Sequence, residues 1–164
     1  LLLAGCATLP ITDGGKFNDA RKLYRHGEKD SALFELRRLA RDNTRPFLAW
    51  KSQFGMGEYY FEYRANYEAA NCFIAHLNDK KFSSSKDISM DLAKLYLLRI
   101  SSNAAETHLE KIKSDFFNQP LFLLFSEYKY RKYISPLGHK YEVREYPDKV
   151  EVYLDGKSFQ TLTP

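Results

Sequence analysis

The chain has few of the residues that mark a metal site or a disulfide framework. It contains only two cysteines, Cys6 and Cys72, and no His-Glu-x-x-His or other ligand spacing. Cys72 is expected to be a small buried apolar residue on a helix. The four scattered histidines are expected to be surface or helix-end residues: His26, His76, His108 and His139. The sequence therefore predicts no metal and no cofactor.

Motifs of catalysis are missing as well. There is no Gly-x-Ser-x-Gly elbow. Gly55-Met56-Gly57 lies within a helical pattern rather than after a strand, which does not favour a phosphate-binding loop. Acidic residues are not grouped in an apolar setting of the kind that tunes an acid and a base. We therefore expect that the protein is not an enzyme and has no small-molecule substrate.

Long apolar runs and a strong charge of one sign are also absent. The longest candidate, residues 120–125, is far shorter than the ~20 apolar residues of a transmembrane helix. The 25 Lys and Arg are interleaved with 21 Asp and Glu, and this mild excess does not indicate a nucleic-acid partner. The 164 residues are 44% hydrophobic and 15% aromatic, which is enough for the core of one domain.

The first residues carry the most informative motif. Leu3-Ala4-Gly5-Cys6 closes an apolar stretch on two small residues and a cysteine, and a turn-rich run follows at residues 8–15. The motif resembles the lipobox of bacterial lipoproteins. This resemblance implies cleavage before Cys6, acylation of that residue with fatty acids such as palmitate, and attachment to a membrane. A trimmed secretory signal or a plain apolar end are the alternatives.

The lipoprotein resemblance also implies a location. In that family an Asp after the cysteine favours retention in the inner membrane, and Ala7 stands at this position. The expected location is therefore the outer membrane, facing the periplasm. Because no Met or basic stretch precedes Leu1, the resemblance further implies that the front of the signal is missing. Without lipidation, a cytoplasmic helical-repeat adaptor is the alternative.

Three segments share one spacing of small and apolar residues. Each has an alanine (Ala32, Ala70 or Ala105) with apolar residues four and seven positions later and an apolar or aromatic residue nine positions earlier. The alanines are 38 and 35 residues apart. A small residue repeated in this way predicts helical hairpins that pack closely on one another. Three unrelated hairpins are the alternative, since helical spacing alone produces some matches.

The spacing and the turns resemble tetratricopeptide repeats, whose period is about 34 residues. Residues 27–32 and 65–70 are similar to the turn Gly-x-Tyr-x-x-Ala of that family, whereas Ser101-Ser102-Asn103 departs from it. The resemblance implies a mainly α fold, a tetratricopeptide-like α-solenoid of about three helical hairpins. The helices are expected at residues 16–26, 29–42, 46–64, 67–77, 86–101 and 104–117.

The pattern changes after Pro120. Residues 121–133 are apolar and aromatic, which predicts a short helix that caps the open end of the stack. Residues 141–146, 150–154 and 158–162 alternate with period two and are separated by Pro147-Asp148-Lys149 and Asp155-Gly156, which predicts a small three-stranded β meander. Three strands alone are marginally stable, so we expect this meander to pack on the helices or on a partner.

These patterns divide the chain into four parts. Residues 1–6 are the end of the signal with the lipidated cysteine, and residues 7–15 are a linker. Residues 16–133 form the helical repeat domain with its capping helix, and residues 134–164 form the C-terminal β appendage.

In the absence of catalytic motifs, the candidate site is a surface. In a repeat of this kind the first helices line a groove, and the residues expected to face it are Arg21, Tyr24, Arg25, Tyr59, Glu62, Tyr63 and Lys94. Tyrosine and arginine are frequent interface anchors, so this groove suits an extended peptide or a helix of acidic character. The alternative is that these tyrosines are ordinary core residues.

Together these features predict a lipid-anchored periplasmic protein-interaction scaffold that binds an envelope protein or peptide. Lipoproteins of this build serve as assembly or pilot factors of outer-membrane complexes, which is what the resemblance implies here. Two alternatives remain: an accessory of a cell-wall or glycan-processing enzyme, and a structural envelope lipoprotein without a specific partner.

Overall fold

The computed structural model describes residues 15–103 and 130–164. Within these ranges the chain forms five helices followed by a four-stranded antiparallel sheet. The helices are α1 (Asn18–Arg25), α2 (Lys29–Ala40), α3 (Pro46–Glu62), α4 (Asn66–Asn78) and α5 (Ile88–Asn103). The strands are β1 (Tyr130–Ile134), β2 (Lys140–Tyr146), β3 (Lys149–Leu154) and β4 (Lys157–Leu162).

The described helices pack in chain order, each on the next, and α3 also contacts α5. The connections between the first four helices are short, and the first two carry local signals: Gly27 adopts a φ of 83° after α1, and Pro46 begins α3. Gly57 lets α3 and α4 approach closely, since a Cβ there would lie 2.6 Å from the ring of Phe73. The first five expected helices are confirmed in position to within two residues at each end. The two-residue differences are the late start of α1, the early ends of α2 and α3, and the late start and end of α5. The sixth lies outside the described residues.

The C-terminal strands form a sheet with the order β1-β2-β3-β4. The expected three-stranded meander is therefore wrong by one strand. The missed strand, β1, occupies residues that we expected to end the capping helix, and the rest of that helix lies outside the described residues. Tyr133 of β1 pairs with Tyr141, and exposed and half-buried residues alternate along the strand. The backbone partner that β2 supplies outweighs the local apolar pattern on which the helix was predicted.

The turn between β3 and β4 confirms the hairpin signal of the sequence. Asp155 and Gly156 have φ values of 50° and 78°, and Leu154 pairs with Lys157 across them. Two positive φ values in a two-residue loop define a type I′ turn, which suits the right-handed twist of the flanking strands.

The sheet and the helices share one hydrophobic core. Tyr141, Val143, Val150 and Val152 on the inner face of the sheet pack in the same cluster as Trp50, Phe54, Phe73 and Tyr96 of the helices. The expectation that the strands pack on the helices is therefore confirmed.

A second contact joins the sheet to the first helices through the loop between β1 and β2, residues 135–139, which we call the docked loop. Leu137 is buried with residues of α1, α2 and α3. Pro136 approaches α3 at Gly55, where a Cβ would lie 2.9 Å from the proline side chain. The Arg21 side chain donates a hydrogen bond of 3.0 Å to the carbonyl oxygen of Ser135. The docked loop is thus held by apolar packing and by a cation.

Candidate functional site

A buried chain of hydroxyl and carboxyl groups lies where the sheet meets the helices. Glu58 of α3 is only 2% exposed. The hydroxyl of Tyr141 on β2 donates to Glu58 Oε1 at 2.5 Å. The hydroxyls of Tyr141 and Tyr96 lie 2.6 Å apart, and since the proton of Tyr141 is directed at Glu58, Tyr96 donates to Tyr141. These two hydrogen bonds connect α5, β2 and α3.

The carboxyl group of Glu58 is incompletely paired. Its second oxygen, Oε2, is buried and has no hydrogen-bond partner among the described residues. Burial raises the pKa of Glu58 to about 7, and the nearby His139, Tyr141 and Ser135 oppose this shift. At neutral pH the group is therefore divided between its acid and its carboxylate form.

His139, at the end of the docked loop, forms the other side of this cluster. Its Nδ1 lies 2.7 Å from Asp155 Oδ2, and Asp155 also accepts a hydrogen bond of 2.8 Å from the backbone N–H of Lys140. Burial lowers the pKa of His139, but the charges of Glu58 and Asp155 outweigh it, so that the pKa is raised. We call Glu58, Tyr96, Tyr141, His139 and Asp155 the joint cluster.

Three of the expected groove residues meet at the surface beside α1. The Tyr24 hydroxyl donates to Glu62 Oε2, and Lys29 Nζ lies 2.5 Å from Glu62 Oε1. The same ammonium group lies 5.2 Å from the ring centre of Tyr24 and 5.9 Å from that of Tyr63. We call Tyr24, Lys29, Glu62 and Tyr63 the aromatic face.

The other expected groove residues have different surroundings. Tyr59 is 7% exposed and donates to Asp30 at 2.5 Å, so it is largely a packing residue. Arg21 holds the docked loop. Arg25 is exposed in the last turn of α1. Lys94 is half-buried on α5 and takes no part in the contacts of the aromatic face.

A second buried polar cluster joins α3, α4 and the start of α5. His76 lies in the last turn of α4, as expected for a helix-end histidine, but it is fully buried. Its Nδ1 is 2.9 Å from the carbonyl oxygen of Trp50 and its Nε2 is 2.9 Å from Ser89 Oγ. A carbonyl oxygen only accepts, so Nδ1 carries the proton and Nε2 accepts from the serine.

The same cluster contains an ion pair. Lys51 Nζ lies 2.8 Å from Asp87 Oδ1 and donates to Ser89 Oγ at 3.2 Å. Burial lowers the pKa of His76 to about 4, so the ring is neutral at physiological pH. A serine paired with a neutral histidine resembles a nucleophile and its base, but neither residue is exposed. We call His76, Ser89, Lys51 and Asp87 the closed cluster.

Cys72 lies on α4 and is half-buried beside the core of the first helices. Burial raises the pKa of its thiol to about 11, which keeps the thiol protonated and unreactive.

Glu58 and Lys29 were not among the residues predicted from the sequence. A signal for Glu58 is present: it lies four residues after Phe54 and three before Phe61, on the apolar side of α3. No local pattern places Lys29 beside Glu62, because these residues are brought together only by the packing of α2 and α3.

The chain matches no protein-family model, and no curated protein or solved structure is significantly similar to it. None of the helices within residues 15–103 and 130–164 is long and apolar enough to cross a membrane. In the same ranges no group of three His, Cys, Asp or Glu side chains is arranged to hold a metal ion.

Proposed function

We propose that this protein is a lipid-anchored envelope scaffold that binds another envelope protein or peptide through the aromatic face. The observation that carries the proposal is the exposure of this face: the Tyr63 side chain is 53% exposed beside the ion pair of Lys29 and Glu62. Large exposed tyrosines next to charged groups are typical of interface anchors.

The chemistry of the aromatic face fits a peptide segment of acidic character. Lys29 is paired with Glu62, and the exposed Arg25, next to Tyr24 in the sequence, would supply the positive charge that attracts a carboxylate. Tyrosine rings provide contact area at a low cost in side-chain entropy. The partner would therefore lay an apolar or aromatic side chain on Tyr63 and direct an acid at Arg25.

Two features support the repeat scaffold within this proposal. Ala32 and Ala70, the small residues of the first two repeat units, are both buried against the preceding helix. Gly57 of α3 packs directly against the ring of Phe73 on α4, where a Cβ would not fit. These are the positions at which a tetratricopeptide-like unit needs small residues, and an α-solenoid of this family would present its first helices on one side.

The lipid anchor rests on Leu3-Ala4-Gly5-Cys6, and Ala7 favours the outer membrane. Acylation of Cys6 would hold the scaffold at the periplasmic side of that membrane, where an assembly or pilot factor meets its complex. An intact mass of the membrane-extracted protein tests this part. We expect an acyl increment that a Cys6→Ser variant lacks, and an unmodified protein with residues 1–6 intact would refute the anchor.

The binding surface is tested by affinity capture from solubilised envelopes. We expect one partner to be captured by the native chain and lost with Tyr63→Ala or Arg25→Ala. Tyr146→Ala is the matched control, since this tyrosine is 38% exposed at the end of β2 and is not part of the aromatic face. Equal capture by all three variants would favour a structural lipoprotein without a specific partner at this face.

A further inference from the structure

Glu58 lies where four elements meet. Tyr96 faces it from α5, Tyr141 from β2, His139 from the docked loop and Asp155 from the β3–β4 turn. On its own helix the nearest acid is Glu62, whose charge acts on His139. A change in the charge of Glu58 therefore affects both contacts between the sheet and the helices, the shared core and the docked loop.

The geometry favours the uncharged form of this side chain. Oε1 accepts from Tyr141, but Oε2 is buried with no hydrogen-bond partner among the described residues. A buried carboxylate with a bare oxygen is strongly disfavoured unless water or a cation reaches it. The side chain is 2% exposed, so water reaches Oε2 only if a neighbouring segment moves.

The docked loop is the segment best placed to move. It is short, it carries Ser135 and His139 beside Glu58, and it packs on α3 through Pro136 at Gly55 and through the buried Leu137. The strands, in contrast, are fixed by pairing with their neighbours along their length, with one register shift between β3 and β4 at Val152/Tyr153. Movement of the loop would open a path from solvent to Oε2.

We propose that Glu58 makes the attachment of the docked loop proton-sensitive: the loop is held against α3 while Glu58 is protonated and loosens when the carboxyl group ionises. This proton-sensitive attachment consists of the buried carboxyl group, its oxygen without a hydrogen-bond partner among the described residues, and the docked loop that covers it. The pKa of Glu58, raised to about 7 by burial, places the transition near neutral pH.

Two other charged groups around the loop are His139 and Arg21, and the titration of His139 also favours opening as the pH rises. A protonated His139 compensates the Glu58 carboxylate, and this compensation is lost when His139 deprotonates as the pH rises. Arg21 stays charged throughout and donates to the Ser135 carbonyl oxygen at every pH. The loop is therefore retained by Arg21 when it loosens, which predicts a local opening rather than release of the whole sheet.

The joint cluster is also in contact with the aromatic face. The ring of His139 meets that of Tyr24 edge to face at 5.2 Å, and Tyr24 donates to Glu62. If the aromatic face binds a partner as proposed above, binding will weaken as the loop opens. Only this consequence rests on the proposed function, because loop opening itself needs no partner.

Hydrogen exchange of the backbone amides tests the proposal on the full chain. We expect the opening equilibrium of the docked loop, after correction for the intrinsic pH dependence of exchange, to rise on the order of tenfold between about pH 5.5 and about pH 8. Amides of α2 should show no such rise. In Glu58→Gln, which keeps an acceptor for Tyr141 and cannot ionise, the rise should disappear.

Glu68→Gln is the control, because Glu68 is exposed on α4. A loop whose opening is independent of pH in the native chain, or equally dependent in Glu58→Gln, would overturn the proposal. If Glu58→Gln does not fold, the comparison of the loop with α2 in the native chain decides alone. A loop that opens with pH while partner binding stays constant would refute only the link to the aromatic face.

Discussion

The joint cluster, where the sheet meets the helices, and the closed cluster, between α3, α4 and α5, each contain a buried titratable side chain, Glu58 or His76, yet they differ in how well that side chain is paired. In the closed cluster both ring nitrogens of His76 are partnered, and Lys51 is matched by Asp87. In the joint cluster Glu58 leaves one buried oxygen bare. A fully satisfied buried network rigidifies the fold, whereas an unpaired buried oxygen is costly, most of all when its group is charged.

The two clusters also respond to pH in opposite directions. Glu58 has a folded pKa of about 7 against 4.5 when unfolded, so its contribution to stability is complete below pH 4.5 and is lost as the pH rises to about 7. His76 has a folded pKa of about 4 against 6.5, so its contribution is complete above pH 6.5 and is lost as the pH falls to about 4. Between about pH 4.5 and 6.5, a rise in pH therefore reduces the stabilisation from Glu58 while it increases that from His76.

The largest expected effect comes from breaking the closed cluster. His76→Ala removes two buried hydrogen bonds and a ring stacked on Trp50 at 4.5 Å. It should lower the free energy of unfolding by about 3–4 kcal/mol at neutral pH, measured by urea denaturation. His26→Ala, at an exposed position after α1, is the control and should change little. Equal stability of the two variants would show that the closed cluster is not structural.

Glu58→Gln should have the next largest effect and should separate the two clusters by pH. The pKa of Glu58, raised from 4.5 to about 7, corresponds to about 3 kcal/mol that the native chain loses as the pH rises and the variant does not. Denaturation at a series of pH values should therefore show the variant gaining on the native chain from pH 4.5 to about 7. A constant difference between the two would contradict the assignment of Glu58.

Tyr141→Phe tests the hydroxyl that serves Glu58. It removes the hydrogen bond to Oε1 and the acceptor for Tyr96. The loss of stability should be about 1 kcal/mol in acid and about 2 kcal/mol at alkaline pH, because a hydrogen bond to a charged group is stronger. A loss that is the same at both pH values would mean that Glu58 does not ionise in the folded protein.

The smallest expected effect on stability is that of Tyr63→Ala on the aromatic face. This exposed side chain should contribute less than about 0.5 kcal/mol to folding, although its loss should abolish partner capture. Tyr59→Ala, one helical turn away but buried and bonded to Asp30, should cost several times more in thermal denaturation. Comparable losses for both would remove the distinction between binding and packing tyrosines.

The helices were predictable because their ends carry local signals, such as Gly27 and Pro46, and because Ala32 and Ala70 recur at one spacing. The hairpin at Asp155-Gly156 was predictable for the same reason. Strand β1 was not, since its residues continue the apolar and aromatic stretch from which a helix was predicted, although its partner β2 follows after only five residues.

The candidate sites were predictable only in part. Tyr24, Glu62 and Tyr63 were expected on one surface and are found together, because they lie on helices whose faces follow from periodicity. The joint cluster depends on Glu58 meeting Tyr141, which is 83 residues away in the chain. A contact between residues so far apart in the chain depends on tertiary packing, and no local pattern in a single sequence predicts it.

The most direct test of this account is a carboxyl titration of Glu58 by NMR in the folded chain, with Glu58→Gln used to assign the resonance. We expect a midpoint near 7, well above the ordinary value of 4.5, with a shift of the Ser135 and His139 amides at the same pH. A midpoint near 4.5, or amides that do not respond, would show that Glu58 is charged and accommodated in the packed structure, and would contradict the account.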